Sequence, residues 1–126
     1  MESLSFIMEN YLEAIYELSQ EKSFARISDI ARRLNVSKAS ASSAMHSLMS
    51  KGLIATEKYR EIYLTEEGRK IAELTAKKHR AIKKFFTEVL KVDEEIADSD
   101  ACAIEHVISN ASAKAIEEYL KKAGIE

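Results

Sequence analysis

"ISDIARRLNVSKASASSAMHSLMSKGLI", running from Ile27 to Ile54, is the stretch from which the rest of the chain can be read. Ile30, Ala31, Leu34 and Val36 are spaced as the inner side of a short helix and the turn behind it. Ser28 is placed to cap that helix, which runs through Leu34. Asn35, Val36 and Ser37 form the turn, and Ser37 caps a second helix that closes near Lys51 and Gly52. Two helices that cross this closely need a small residue where they meet. Ala31 supplies it, Val36 plugs the turn, and Ala41 and Ala44 let the second helix pack against the first. The expectation is a helix-turn-helix.

Upstream, Leu4, Met8, Tyr11, Ile15 and Leu18 recur at spacings of three and four and predict a helix from about Ser5 to Glu21. Asn10, Glu13 and Glu17 line a different face of it. Downstream, "LIATEKYREIYLT" (Leu53 to Thr65) reads as a hairpin over 53–57 and 61–64 with its tip at Lys58, Tyr59 and Arg60. A hairpin there makes the module a winged helix. Thr65 then caps a long helix, with Glu66 and Glu67 in its first turn where the dipole favours acids. Its apolar side is carried by Ile71, Leu74, Ile82, Phe85, Phe86 and Val89 to about Leu90. Two more helices follow near 93–108 and 110–122, parted at Ser109, with Gly124 beyond the last. The fold class is mainly α with a small β-hairpin wing.

Composition agrees: the 126 residues include no proline, no tryptophan and three glycines. The single cysteine excludes an intrachain disulfide and fits a reducing cytoplasm. Acidic residues ahead of a short apolar run make a poor signal peptide, and no stretch approaches the roughly 20 apolar residues of a membrane span. The expected location is therefore cytoplasmic, with no membrane partner. Net charge is −2, but it divides unevenly. Residues 22–60 hold eight Lys/Arg against two acids, or +6, and the remainder holds eleven against nineteen, or −8. That split suggests a polyanion-binding module within an acidic body.

Winged-helix geometry then assigns roles. The helix from Ser37 enters the major groove of double-stranded DNA N-terminus first, and basic residues on either side hold phosphates. Ser37, Ala39, Ser40 and Ser43 are the candidate base-edge contacts, with Ala39 able to meet a thymine methyl. Arg26, Arg32, Lys38, His46, Lys58 and Arg60 are the phosphate candidates.

A second chemistry lies in "ACAIEHVIS", Ala101 to Ser109. On a helical wheel His106, Glu105 and Asp98 fall within about 60° of Cys102, and the apolar residues cover the remaining arc. Thiolate, carboxylate and imidazole at one-turn spacing form a metal-ligand set. One helix face supplies three donors and a divalent cation prefers four to six. His79 is the only other histidine outside the DNA-reading region, and Asn10 and Glu13 offer two oxygens one turn apart. Each of these also has an ordinary reading, as a surface histidine or a solvated acidic face.

"MENYLEAIYEL", "ISDIARRLNVSKASASSAMHSLMSKGLI", "YLTEEGRKIA", "KKHRAIKKFF" and "DSDACAIEHVIS" together resemble successive signatures of the diphtheria-toxin-repressor/manganese-repressor family. The resemblance covers nearly the whole chain. It implies a metal-activated winged-helix repressor that acts as a homodimer on operator DNA. The DNA-binding domain would occupy residues 1–73 and a helical metal-binding and dimerisation domain residues 74–126, with the metal site between the two lobes. Cys102, Glu105 and His106 match primary-site ligands of the iron-responsive branch. Glu13 and His79 match ligands of the manganese-responsive branch, and His79 also matches an ancillary ligand of the iron branch. Position 10, usually Asp or Met in the two branches, is Asn10 here. Lys83 stands where the iron branch has an ancillary carboxylate, and Asp98 where it has a histidine.

Donor softness orders the candidate metals. A thiolate favours Fe²⁺, Co²⁺ or Zn²⁺ over Mn²⁺. Because selection in a cell also depends on metal availability, Fe²⁺ is the expected ion with Mn²⁺ next, while Zn²⁺ or Co²⁺ can also bind. Metal bound to this donor set would fix the spacing of two recognition helices and so favour the DNA-competent state by population shift. Two other readings follow from the same residues. A metal-dependent hydrolase would need an open coordination position and a positioned base, for which no further His or Asp motif is present, so no enzyme is expected. A winged-helix regulator sensing an organic ligand would bind DNA without Cys102.

Overall fold

The computed structural model describes residues 4–57 and 61–125. The chain divides into two compact units, Met1–Glu73 and Leu74–Glu126.

The first unit opens with α1 (Phe6–Lys22), whose N-cap Ser5 accepts from the Met8 N–H, and whose C-cap Ser23 is left-handed. A two-residue strand β1 (Ala25–Arg26) leads into α2 (Ile27–Leu34), and α3 (Lys38–Ser50) follows. The turn between α2 and α3 rests on Asn35, which has φ of 55°. Its N–H bonds to the Arg32 carbonyl and that of Val36 to Ala31, which satisfies the carbonyls at the end of α2. Asparagine tolerates this conformation better than most residues.

Strands β2 (Ile54–Glu57) and β3 (Glu61–Leu64) pair antiparallel, with Ile54 opposite Leu64 and Thr56 opposite Ile62. The sheet has a third strand that periodicity did not predict. β1 pairs with β3 through Ala25–Ile62 and Arg26–Glu61, and the order is β1-β3-β2. This pairing also moves the start of α2. Arg26 is held extended at φ −115° and ψ 148° and is the N-cap residue, without a side-chain bond, so the expected cap Ser28 falls inside the first turn.

Leu12, Ile15, Ile30, Ala41, Leu48 and Ile62 are fully buried at the centre of this unit's core. Ala31, Ala44 and Met45 join them where α2 meets α3. Val36 departs from expectation: it is exposed, because the backbone bonds of Asn35 and Val36 close the turn without its side chain. The hairpin tip at Lys58, Tyr59 and Arg60 lies outside the described residues.

Thr65 links the wing to α4 (Glu66–Lys84): its hydroxyl donates to the Gly52 carbonyl at 2.7 Å and accepts from the Gly68 N–H at 3.2 Å. Gly68 is buried here, and a Cβ at this position would be driven into the Leu53 carbonyl, with Leu64 Cδ2 at 3.3 Å. The unit boundary falls within α4.

In the second unit, α4 passes after Lys84 into a π-helical turn, Phe85–Val89, which carries the helix to its expected end near Leu90, the C-cap. The Thr87 hydroxyl donates to the Lys83 carbonyl at 3.0 Å. Leu74 is exposed, and the buried positions of this part of α4 are Thr75, Ala81 and Ile82. Helix α5 (Glu94–Ile104) is capped by Asp93 and α6 (Asn110–Lys122) by Ser109. Ala97, Ala101, Ala113 and Leu120 complete a small core, and Phe85 meets Tyr119 edge-on at 5.7 Å. Among the described residues no helix is long and apolar enough to cross a membrane.

The close approach at Gly68 makes a prediction. Alanine's helix propensity favours Gly68→Ala by about 1 kcal/mol. Overpacking against a fixed backbone carbonyl costs about 1–3 kcal/mol or more and prevails. A lower urea midpoint with an unchanged m-value is expected, and a midpoint at or above that of the natural chain would contradict it.

Candidate metal centre and nucleic-acid interface

The donors of the second unit converge on His79 of α4. Its Nε2 lies 2.9 Å from Asp98 Oδ1 and its Nδ1 2.8 Å from Glu105 Oε1. Cys102 Sγ is 3.8 Å from the same Nδ1. Asp98 and Cys102 are four residues apart on α5, so one turn of helix delivers both to the imidazole. One ligand atom from each of His79, Asp98 and Cys102 lies within 4.8 Å of the others. Glu105 Oε2 in turn is 3.9 Å from His106 Nε2.

These residues do not form the single helix face expected. Helix α5 stops at Ile104, Glu105 is its C-cap, and His106 lies in the turn beyond. The Val107 N–H bonds to the Ile104 carbonyl, which tightens the last turn and takes His106 out of the α-helical register. The environments differ accordingly. Cys102 is exposed, whereas Glu105 is only 1% exposed and its neighbour His106 has a buried side chain. Asp98, outside the main donor set read from the sequence, is the third member of the cluster. Its signal was the four-residue spacing to Cys102.

Burying a carboxylate is costly unless a cation or hydrogen-bond donors face it, and here imidazoles are within reach of both Glu105 oxygens. Both nitrogens of His79 can donate at once only as imidazolium, and the same two positions can instead serve a metal. Ligand atoms around a single ion with bonds of about 2.0–2.3 Å stand roughly 3–4 Å apart, so a spread of up to 4.8 Å is open to closure by side-chain rotation. Imidazole, carboxylate and thiolate are also the donor types that borderline divalent ions take. A divalent metal fits these residues.

Lys83 completes the polar surroundings, with its Nζ 3.4 Å from Asp98 Oδ1 and 3.5 Å from Glu94 Oε1. The hydrogen bond to His79 holds the Asp98 carboxyl below the usual aspartate range; burial opposes it, and Lys83 adds to the lowering. The bond to Asp98 raises Lys83 in turn. Asn10 and Glu13 stand on α1 in the other unit, one turn apart and both half-buried.

In the first unit, Ser37, Lys38, Ala39, Ser40 and Ser43 are all exposed around the N-terminal turns of α3. The Ser37 hydroxyl is the helix cap, accepting from the Ser40 N–H and donating to Ser40 Oγ, both at 3.0 Å. His46 is exposed, with Nδ1 2.9 Å from the Ser42 carbonyl, which makes Nδ1–H the donor and leaves Nε2 for other partners. Arg26 lies over the Phe24 ring at 5.4 Å, and Arg32 reaches Asp29 at 3.4 Å in an exposed pair. Lys58 and Arg60 are outside the described residues.

A winged helix-turn-helix joined to a helical unit with a metal-type donor set defines the class of metal-responsive DNA-binding regulators. Residues 3–62 match the family model "Iron dependent repressor, N-terminal DNA binding domain". Residues 65–124 match "Iron dependent repressor, metal binding and dimerisation domain". The chain belongs to the iron-dependent repressor family, a family of transcriptional regulators rather than enzymes.

The HTH-type transcriptional regulators MntR of Bacillus velezensis and Bacillus subtilis are each 38% identical over 102 residues, covering 81% of this chain and 71% of theirs. Among solved structures, T. acidophilum IdeR aligns with a TM-score of 0.79 at 26% identity, covering 99% of this chain and 56% of that one. The manganese regulator SloR aligns with 0.80 at 27%, covering 90% and 53%. A manganese-dependent transcriptional repressor in complex with manganese aligns with 0.79 at 26%, covering 90% and 52%. The chain thus spans about half the length of these solved relatives.

The Asp98 pairing is testable in metal-free protein. With a folded pKa below the unfolded value near 3.9, Asp98 contributes stability that is present above that value and lost as pH falls through the lower folded one. Carboxyl ¹³C NMR is expected to place its midpoint below that of an ordinary aspartate. His79→Ala should move the midpoint upward, and an unmoved midpoint would refute the assignment.

Proposed function

We propose that this protein is a metal-dependent transcriptional repressor that binds operator DNA as a homodimer when loaded with a divalent ion, Fe²⁺ in preference to Mn²⁺. The observation that carries the reading is the convergence of imidazole, carboxylate and thiolate on His79 in a chain that also holds a winged helix-turn-helix. Cys102, Glu105, His106 and His79 are the proposed donors of the helical unit. From the sequence, Glu13 and Asn10 of α1 are assigned as further donors. The ion would supply positive charge beside the carboxylates of Asp98 and Glu105 that His79 contacts. The exposed thiolate of Cys102 favours Fe²⁺, Co²⁺ or Zn²⁺, and the carboxylates keep Mn²⁺ within range.

On the DNA side, Ala39, Ser40 and Ser43 are the proposed base-edge contacts, with Ser37 orienting the turn that carries them. Lys38, Arg26, Arg32, His46, Lys58 and Arg60 are the proposed phosphate contacts. Leu90, Ile96, Val107 and Tyr119, exposed on the helical unit, support self-association there.

Operator binding measured anaerobically with Fe²⁺, Mn²⁺ or chelator tests the reading. Chelator is expected to weaken binding, and equal affinity under all three conditions would refute it. Cys102→Ala is expected to weaken Fe²⁺ activation about 10–100-fold, the range seen when a metal site loses a supporting group. It should affect Mn²⁺ activation less, and DNA binding insensitive to both the mutation and the metal would point to an organic effector.

A separate arm addresses DNA contact. Lys38→Ala should lower affinity on all sequences and reduce the salt slope by about 1. An unchanged slope would remove Lys38 from the contact set.

A further inference from the structure

Helix α3 turns Ala41, Ala44 and Leu48 into the core. At about 100° per residue, the opposite side of the helix carries Ala39, Ser43, His46 and Ser50 within an arc of about 60°, and all four are exposed. Three of these side chains are short. Ala39 offers a methyl group, and the Ser43 hydroxyl can either donate or accept. The Ser50 hydroxyl is turned back on the helix, donating to the Ser47 carbonyl at 2.9 Å. Among the described residues of α3, His46 alone brings a ring of fixed polarity to this side.

That polarity follows from one hydrogen bond. His46 Nδ1 lies 2.9 Å from the Ser42 carbonyl, one turn back toward the N-terminus of the helix. A carbonyl only accepts, so Nδ1 carries the hydrogen, and in the neutral ring Nε2 is left as an acceptor. Ala39, Ser43 and His46 stand at i, i+4 and i+7, so a helix lying in the major groove can lay all three along successive base edges.

The basic character of His46 groups it with the phosphate contacts above, but its surroundings favour another task. A phosphate oxygen accepts, as the neutral Nε2 does, so the two cannot bond in that form. Glu57 of β2 lines the same groove beside α3, and its carboxylate would face any phosphate seated there.

We infer that His46 is a base-reading residue, its Nε2 accepting a hydrogen bond from an exocyclic amine in the major groove, adenine N6 or cytosine N4. The inference rests on the DNA-binding reading above and deepens it by naming the side chain that sets sequence preference.

Selection from a random double-stranded DNA library by the full chain loaded with Mn²⁺, and anaerobically with Fe²⁺, gives the preferred base at each position. His46→Ala and His46→Phe are compared with the natural chain, the phenyl ring keeping the bulk of the imidazole without its acceptor. Both variants should lose preference about fivefold or more at one base pair of each half-site, and keep it elsewhere. The base no longer preferred should be adenine or cytosine. Replacing it with purine or 2-pyrimidinone, which lack the amine, should weaken the natural chain about fivefold and leave His46→Ala unchanged. Far-UV circular dichroism confirms that each variant is folded.

An even loss of affinity on all sequences with no change of preference would return His46 to the phosphate contacts and overturn the inference. Preference retained by His46→Phe, or affinity of the natural chain indifferent to the amine, would overturn it as well. Each of these leaves the DNA-binding reading standing. Failure of the natural chain to enrich any sequence with either metal would overturn both.

Discussion

Glu105 is the constraint around which the helical unit is arranged. A carboxylate that is 1% exposed needs compensation from its surroundings, and His79 provides it at 2.8 Å. His79 in turn spans from Glu105 at the end of α5 to Asp98 two turns earlier, so one imidazole ties α4 to α5 at two points. Lys83 secures the same helix pair through Asp98 and Glu94, and Lys78 Nζ donates to the Ile108 carbonyl at 3.1 Å, just beyond. The apolar contribution here is modest, with alanine at four of the six buried apolar positions among the described residues. Polar pairing therefore carries much of the positioning, and the groups that do it are the ones with metal-binding chemistry.

The DNA-reading unit is organised differently. Its core is apolar and continuous from α1 through β3, and its polar side chains act chiefly at element ends. Ser5 and Ser37 cap helices, and Thr65 ties the wing to α4 through Gly52 and Gly68. This leaves the exposed N-terminal turns of α3 to be held by the packing beneath them. Ala41, Ala44 and Leu48 anchor the buried side while Lys38, Ala39 and Ser43 face outward. A rigid apolar scaffold carrying a polar reading surface suits recognition, because the contact residues need not contribute to the core.

Much of this was legible in the order of residues. The four-residue spacing of Asp98 and Cys102 marked one side of α5, and the histidine, acid and thiol types marked its chemistry. The wheel went wrong at its far end, where α5 gives way after Ile104 and Glu105 turns inward while Cys102 stays outside. β1 was missed because two residues carry no periodicity, and its strand geometry comes from bonding to β3, more than thirty residues on. The helix reaches Leu90 as its apolar spacing predicts, but the spacing does not reveal that its last turn, Phe85–Val89, is π-helical.

Local chemistry therefore determined the elements: the caps at Ser5, Ser37, Thr65 and Ser109, the left-handed turn at Asn35, and the apolar spacing of α1 to α3. These depend on interactions within about four residues, which the chain order displays directly. Tertiary structure decided which donors meet. His79 finds Asp98 and Glu105 across separations of 19 and 26 residues, and Lys83 arrives at the same oxygen. Such meetings depend on how two helices pack, on their rotation and on where each one ends, and no local spacing contains that information.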